Sequence, residues 1–503
     1  MSTFHGLEMA KQALFAQQSA LYTTGHNISN ANTEGYTRQR VNFATQSPFP
    51  TASRNRPEIP GQMGTGVEAG SVQRVRDQFL DYQFRAENSK AGFWTSKTDS
   101  IARMESLMNE PSENGLSKTM DQFWQSLQDL SVNPKNAGAR SVVAQRGLAV
   151  AETFNYLSSS LSSMRTDLKS QIDVTVKDAN SILSQVNEIN KQIQAIEPHG
   201  YLANDLYDER DRLIDELSGI VTIKVTYTKS GENSPAIADG LATIELVDDK
   251  GKGIGVTLVD GESGEINEFA VDYSEDNKFA VTSIRVGDEK IQTGNFNSNG
   301  SLYGFMESYG YEDANGSIKG TYTNMLASLD KMAIEFAGKF NEVHENGQDL
   351  KGNQGGVFFV GVVQETGAAA SLTVSDAIME DPDLIAASED GDLGNGNNAS
   401  ALADVFDEPL DGLGENTSVK TFYESLIGEL GVHAQEANRM AGNTIILKSQ
   451  VENQRMSVSS VSLDEEMSNM IKYQHAYNAA ARSLTAVDEL LERIINNMGI
   501  VGR

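Results

Sequence analysis

Both ends of this chain carry an apolar stripe at helical spacing, and any fold has to keep those two stripes dry. Read as a helix, Leu463 to Met498 places Met467, Met470, Gln474, Tyr477, Ala481, Leu484, Val487, Leu491, Ile494 and Met498 on one line, in steps of three and four residues. Ser462 stands in the N-cap place, Asp464, Glu465 and Glu466 fill the first turn, and Gly499 follows the last. At the other end, Phe4, Leu7, Lys11, Leu14, Gln18, Leu21, Gly25 and Ile28 repeat at the same spacing, with Ala10, Ala13 and Ala20 widening the face. The two termini are therefore expected to pair as a coiled coil. Burying one stripe against the other falls short of the entropy lost in ordering two such helices. The pair is expected to be loose in the single chain and ordered by neighbouring copies, with a helical hairpin folded against the central region as the competing arrangement. Gln18 and Gln474, polar at seam positions, could fix register, and Gly25 either admits another backbone or ends its helix.

A chain of 503 residues exceeds one compact core, so several domains are expected. Forty basic residues against 70 acidic give a net charge of -30, which excludes nucleic acid and anionic membrane as natural partners. The acid is concentrated in the middle: residues 201–300 hold 9 Lys and Arg against 20 Asp and Glu, while residues 1–100 hold 10 against 8. With no cysteine, neither disulfides nor thiol chemistry is available. No run of about eighteen apolar residues exists, so no membrane insertion is expected. The N-terminus lacks a basic region followed by an uninterrupted apolar one, so a cleavable signal is not expected either.

The organisation follows from changes of period. Residues 41–76, with Pro48, Pro50, Pro57 and Pro60, read as an extended connector with at most short strands. Helix resumes near Phe79. A stripe of Leu116, Met120, Phe123, Leu127 and Leu130 stops at Asn133-Pro134, and a very long helical run from 137 to 196 stops at Pro198. Leu206 to Leu217 reads as a short charged helix, supported by Asp208 and Arg212 one turn apart. At Val221 the period switches to two. Strands are expected at 221–228, 241–247, 255–259, 269–273 and 279–286, forming an antiparallel β domain inserted at 221–299. Helix returns at 321–345, residues 346–420, rich in Gly and Asn, read as irregular with minor strands at the apolar pieces 357–363 and 372–374, and two stretches, 419–430 and 432–461, lead into the terminal helix. The fold class is mainly α with an inserted β domain, an elongated multidomain rod whose discontinuous domains nest: 1–60 with 462–503 as the terminal assembly domain, 61–220 with 300–461 as the helical rod.

No constellation points to catalysis. Six histidines, at 5, 26, 199, 344, 433 and 475, form no metal spacing. The loop from Asp390 to Asn397 gathers oxygen ligands but lacks the closing Glu of a calcium loop, and reads as a solvated turn. Gly355-Gly356 has neither the Lys nor the spacing of a phosphate loop. No cofactor and no metal are expected.

The run Asn27-Ile28-Ser29-Asn30-Ala31-Asn32-Thr33-Glu34-Gly35-Tyr36-Thr37-Arg38-Gln39 resembles the N-terminal motif of the bacterial flagellar axial proteins, the family of rod, hook and hook-associated proteins. Gly-Tyr-Thr-Arg-Gln is closer to the hook-associated subgroup. Leu463 to Met467 with Asn469 to Arg482 resembles the matching C-terminal motif, and Leu206 to Leu217 looks like a segment shared by hook–filament junction proteins. The resemblance implies a structural subunit joining hook to filament outside the cell, exported unfolded without a cleavable signal. Its partners would be copies of itself, the hook protein on one side, a second junction protein on the other and an export chaperone on the C-terminal helix. Hook or distal rod protein is the near alternative, and a secreted hydrolase on an axial scaffold is the alternative of another class. The candidate assembly residues are Leu7, Leu14, Leu21, Ile28, Asn30, Gly35, Tyr36, Met467, Met470, Gln474, Tyr477, Leu484, Leu491 and Ile494.

Overall fold

A computed structural model describes residues 4–50, 53–54, 61–108, 115–274, 279–362 and 366–497. Pro57, Pro60, Met498 and Gly499, all singled out above, lie outside these.

The chain leaves through α1 (Phe4–Ser29), a hairpin of β1 (Gln39–Thr45) and β2 (Val67–Arg74), and the helices α2 (Gln78–Met108), α3 (Leu116–Val132), α4 (Ala137–Ile196) and α5 (Asn204–Ile220). Six strands follow: β3 (Ile223–Thr228), β4 (Leu241–Val247), β5 (Gly253–Val259), β6 (Phe269–Tyr273), β7 (Val281–Val286) and β8 (Glu289–Gln292). Then come α6 (Ser301–Tyr309), the short strands β9 (Tyr311–Glu312) and β10 (Ile318–Lys319), and α7 (Thr321–Asn346). Between 346 and 420 stand β11 (Phe359–Val360), α8 (Ala368–Ser371), β12 (Thr373–Val374), α9 (Asp376–Glu380) and α10 (Asn397–Asp404). The chain returns through α11 (Val419–Ser459) and α12 (Leu463–Asn497). Outgoing and returning helices pair, α2 with α11 and α1 with α12, so the domains nest.

The rod's core is a consequence of the long stripes. On α4, whose first turn is capped by the Asn136 side chain accepting from Gly138 N and Ala139 N, Val143, Val150, Phe154, Leu161, Leu168, Ile172, Ala179, Leu183, Val186 and Ile193 form one buried line. Phe123 of α3 meets Phe340 of α7 at 5.4 Å between ring centroids, and Phe340 meets Phe358 at 4.9 Å. Those rings order the Gly- and Asn-rich segment, whose two short strands, β11 and β12, lie in the apolar pieces where minor strands are expected. A Cβ on Gly147 of α4 would lie 2.8 Å from the Phe358 ring, so only glycine admits it. The Asn341 side chain accepts from Phe358 N and Phe359 N at 2.9 and 2.8 Å. Buried His344 donates from one ring nitrogen to Gly356 O and accepts Ala386 N on the other, at 2.6 and 3.0 Å. This needs a neutral ring, and burial with the Arg140 charge nearby moves the imidazole down to about 4.

The strands fall close to the expected residues but form two sheets, β3-β4-β5 and a second in which β7 is flanked by β6, β8 and β9. The second sheet draws β9 and β10 from beyond residue 299, and its β7–β9 contact is parallel. Both sheets dock on α4 through side-chain amides. Asn180 exchanges two hydrogen bonds with the Phe269 backbone, Asn190 two with Ala242, and Asn187 donates to Gly264 O.

Several expectations change. The connector is a proper hairpin of seven- and eight-residue strands laid on α1. The two stretches before the terminal helix are one helix running through Gly431, because Leu430, Ala434, Ala437 and Ala441 packed on α2 outweigh a glycine's cost of about 1 kcal/mol. Arg212 pairs with Glu209 and Glu216 rather than Asp208, which faces the other way into a buried site. The helix α1 continues through Gly25, so Gly25 does not end it, and within this chain nothing lies within 4 Å of a would-be Cβ there.

Candidate assembly interface

The terminal helices run antiparallel. Asn27 Nδ2 donates to Glu466 Oε2 at 3.1 Å near one end, and a Cβ on Gly6 would lie 3.7 Å from Val487 Cγ2 near the other. The seam is narrower than the leucine stripe implies. On α1 the buried residues are Ala10, Ala16, Ala20, Thr24 and Asn27, while Leu7, Leu14, Leu21 and Ile28 are half-buried at its flank. Alanines let the axes approach, so the face expected merely to widen the stripe is the seam itself. On α12, Leu491 is buried, and Met470, Tyr473, Tyr477, Ala480, Leu484 and Val487 are half-buried. Met467, Gln474 and Ile494 are exposed, one step round the helix from the seam. Gln18 and Gln474 also face water, so neither sets register within this pair.

What remains outside is strongly apolar. Phe4, Phe15 and Tyr22 of α1 and Met467, Ile471, Leu490 and Ile495 of α12 are all more than half exposed. A monomer rarely presents so many large apolar side chains on one two-helix unit, and such patches mark association surfaces.

The root of the pair is held by the turn after α1. Asn27, 1% exposed, uses its whole amide: Oδ1 accepts from Gln39 N at 2.9 Å and from the Tyr36 hydroxyl at 2.8 Å, and Nδ2 donates to Gln39 O and Glu466. Burial and the carboxylates of Asp205, Asp208 and Glu466 raise the Tyr36 phenol, which keeps its proton for that bond. Asn30, half-buried, accepts from Thr33 Oγ1 and donates to His26 O, closing the turn. Gly35 has φ +80° and takes a backbone conformation that favours glycine. Arg38 then bridges to α12, donating from Nε to Glu466 Oε1 at 2.8 Å and from Nη1 to Glu465 Oε2 at 2.7 Å. Its backbone N–H meets Ser459 O at the end of α11.

Beneath this turn lies a buried ionic knot on α5. Arg74 binds Asp208 and Asp211 at 2.8 and 2.9 Å and also Asp239; Arg76 binds Asp81; Arg85 binds Asp215 at 2.7 Å; Arg455 of α11 binds Asp215 as well. Burial alone would raise the Asp211 carboxyl, but Arg76, Arg74, Arg85 and Arg210 outweigh it and hold the group well below the usual carboxylate range. Asp208 shifts the other way, raised by burial that Arg74 and the Thr37 amide only partly oppose. Every partner here is a protein group, and the arrangement fixes the angle between β2, α2, α5 and α11. Among the described residues no group of three or more His, Cys, Asp or Glu could hold a metal ion. The loop at Asp390 is closed on itself, its Oδ1 accepting from Asp392 N, Ser388 Oγ and Asn395 Nδ2.

Of the candidate residues, Asn30 and Tyr36 belong to this root, and Gly35 is exposed at its turn. Met470, Tyr477, Leu484 and Leu491 face inward along α12 or flank its seam, and Met467, Gln474 and Ile494 point outward. Asn27, Arg38, Glu466, Asp208 and Asp211 were missed as candidates. Asn27 and Arg38 stand inside the N-terminal motif, Glu466 inside the C-terminal one, and Asp208 and Asp211 inside the Leu206 to Leu217 segment, but nothing in the sequence shows that they meet.

The comparisons with known proteins divide along the same lines. Residues 101–359 match the model of the flagellar hook-associated protein FlgK helical domain. Residues 7–37 match that of the flagella basal body rod protein, and 452–498 that of the flagellar basal body rod FlgEFG protein C-terminal region. These last two cover the helices that meet as α1 and α12. The chain is 50% identical over 507 residues to flagellar hook-associated protein 1 of Bacillus subtilis (strain 168), with all of both chains covered. It is 26% identical over 573 residues to flagellar hook-associated protein 1 of Escherichia coli (strain K12), covering 97% of this chain and 98% of that one. The flagellar hook junction protein FlgK from Burkholderia pseudomallei superposes with a TM-score of 0.60 over 75% of this chain and all of that one, at 14% identity, a likeness of fold. With half its residues shared along the full length of a relative and a family helical domain over its rod, the chain belongs to the flagellar hook-associated protein 1 family.

Proposed function

We propose that the chain is a structural subunit of the hook–filament junction, with no catalytic role, that enters the assembly through the outward faces of α1 and α12. The observation that carries this reading is the inversion of the terminal pair: alanines inside, Phe15, Tyr22, Met467 and Ile471 outside. Such a unit is poorly satisfied alone and well satisfied when several neighbours cover it, so assembly and final ordering are coupled. Packing is head-to-tail, since a heterologous contact propagates along a helical axis. The hook protein lies on one side, a second junction protein on the other, and the subunit works outside the cell. The same outward seam on α12 is what an export chaperone would cover beforehand.

Ile471→Asp tests the reading. Expected are hooks without filaments and an unchanged melting transition for the rod, read by electron microscopy and by thermal unfolding of the purified chain. Normal motility with normal junctions would contradict it. Hook and distal rod proteins share the terminal motifs, and the full-length likeness to hook-associated protein 1 favours the junction. Immunogold labelling at the hook–filament boundary separates the two.

A further inference from the structure

The side of α11 that faces away from α2 carries a second exposed strip, in which Ile446 points outward in line with Gln450, Asn453 and Ser457 while Ile445 and Leu447 stand on its two flanks. Ile445, Ile446 and Leu447 are 49%, 65% and 48% exposed, and Ile445 and Ile446 border a shallow groove of about 600 Å³ floored by Ser449, Gln450, Asn453 and Ser457. From Gly442 to Ser459 the chain has three charged residues, and each is engaged on the inner side. Lys448 lies over the Phe84 ring of α2, Glu452 pairs with Arg455, and Arg455 reaches Asp81 and Asp215. The outward side therefore presents only aliphatic, hydroxyl and amide groups.

That is unusual for a helix face open to water, which is ordinarily charged. It is stranger still in a chain of net charge -30, where two copies repel until they meet on uncharged ground. The strip has such ground: its aliphatic groups gain by leaving water, and its hydroxyl and amide groups can exchange water for hydrogen bonds across a contact. Along the sequence it passes, after the short break at Ser460–Ser462, into Leu463, Met467 and Ile471 on the outward side of α12. We infer that the outward strip of α11 docks a second copy of this chain, extending the terminal contact onto the rod. The inference rests on the assembly reading above and adds a contact that the terminal helices do not require.

The chain has no cysteine, so Ser449→Cys supplies a single thiol to which a benzophenone maleimide can be attached. Purified labelled chain is supplied to cells lacking the native protein, and the regrown flagella are irradiated. A cross-linked product of twice the chain's mass, containing only this chain, is expected. Incorporation with no cross-link, or with a cross-link only to another flagellar protein, overturns the docking surface and leaves the terminal reading standing. Failure of the unlabelled wild-type chain to enter flagella overturns the terminal reading itself. As a second arm, full-length Ile446→Asp is expected to melt like wild type yet lose filaments. Wild-type filament numbers in that variant would sink the proposal independently.

Discussion

The rod and the terminal pair use similar residues in opposite ways. In the rod, Phe123, Phe340, Phe358 and Phe359 meet in one cluster and are at most 3% exposed. In the terminal pair, Phe4, Phe15 and Tyr22 stand 63%, 55% and 79% exposed, around a seam built mainly of alanine. An aromatic turned inward stabilises the single chain, whereas one turned outward stabilises only what the chain joins. On the function proposed above, the rod is finished in the single chain and the terminal pair by its neighbours.

The largest effect that would break this comparison is in the rod. Phe340→Ala should cost about 4 kcal/mol in denaturant unfolding, because the emptied site is walled by four other rings. A loss under about 1 kcal/mol would mean that the cluster does not carry the core. Next comes the buried imidazole. The folded state holds His344 at about 4 while the unfolded chain protonates it near the ordinary 6.5. Its contribution is therefore intact above pH 6.5, falls as the pH drops towards 4 and levels off below. The loss is roughly 3 kcal/mol, and it should vanish from the pH profile of His344→Gln.

Smaller and more local is Asn27→Ala, which strands Gln39 N, the Tyr36 hydroxyl and a Glu466 oxygen. A cost of about 2 kcal/mol is expected, seen as faster amide exchange in α1 and α12 with the rod unchanged. Equal acceleration in α4 would show that the two regions are not separable. Smallest of all is Phe15→Ser, expected within about 0.5 kcal/mol of wild type in the isolated chain but impaired in filament assembly. A large destabilisation there would erase the distinction drawn above.

Elements whose burial follows one period were legible in the sequence. The α4 run, the Leu116 to Leu130 stripe and the alternating strands from Ile223 to Val286 lie close to where periodicity put them. Two things were hidden. The seam of α1 is made of small residues, so its leucines drew attention to a flank, and the true line of Ala10, Ala20, Thr24 and Asn27 has little hydrophobic signal. The ionic knot was hidden because Asp208, Asp211 and Asp215 on a charged segment look like solvated surface. Only tertiary structure brings Arg74 of β2, Arg76 just after it, Arg85 of α2 and Arg455 of α11 to them. The Gly- and Asn-rich segment was legible only as irregular with minor strands: its order comes from Phe358 and Phe359 fitting against α3, α4 and α7, a property of the site and not of local composition.

Arg38 grips the last carbonyl of one long helix with its backbone and the first turn of the next with its guanidinium. A pull on the turn after α1 is therefore shared at once between the end of α11 and the start of α12, and the terminal pair cannot swing about this turn without straining all three bonds.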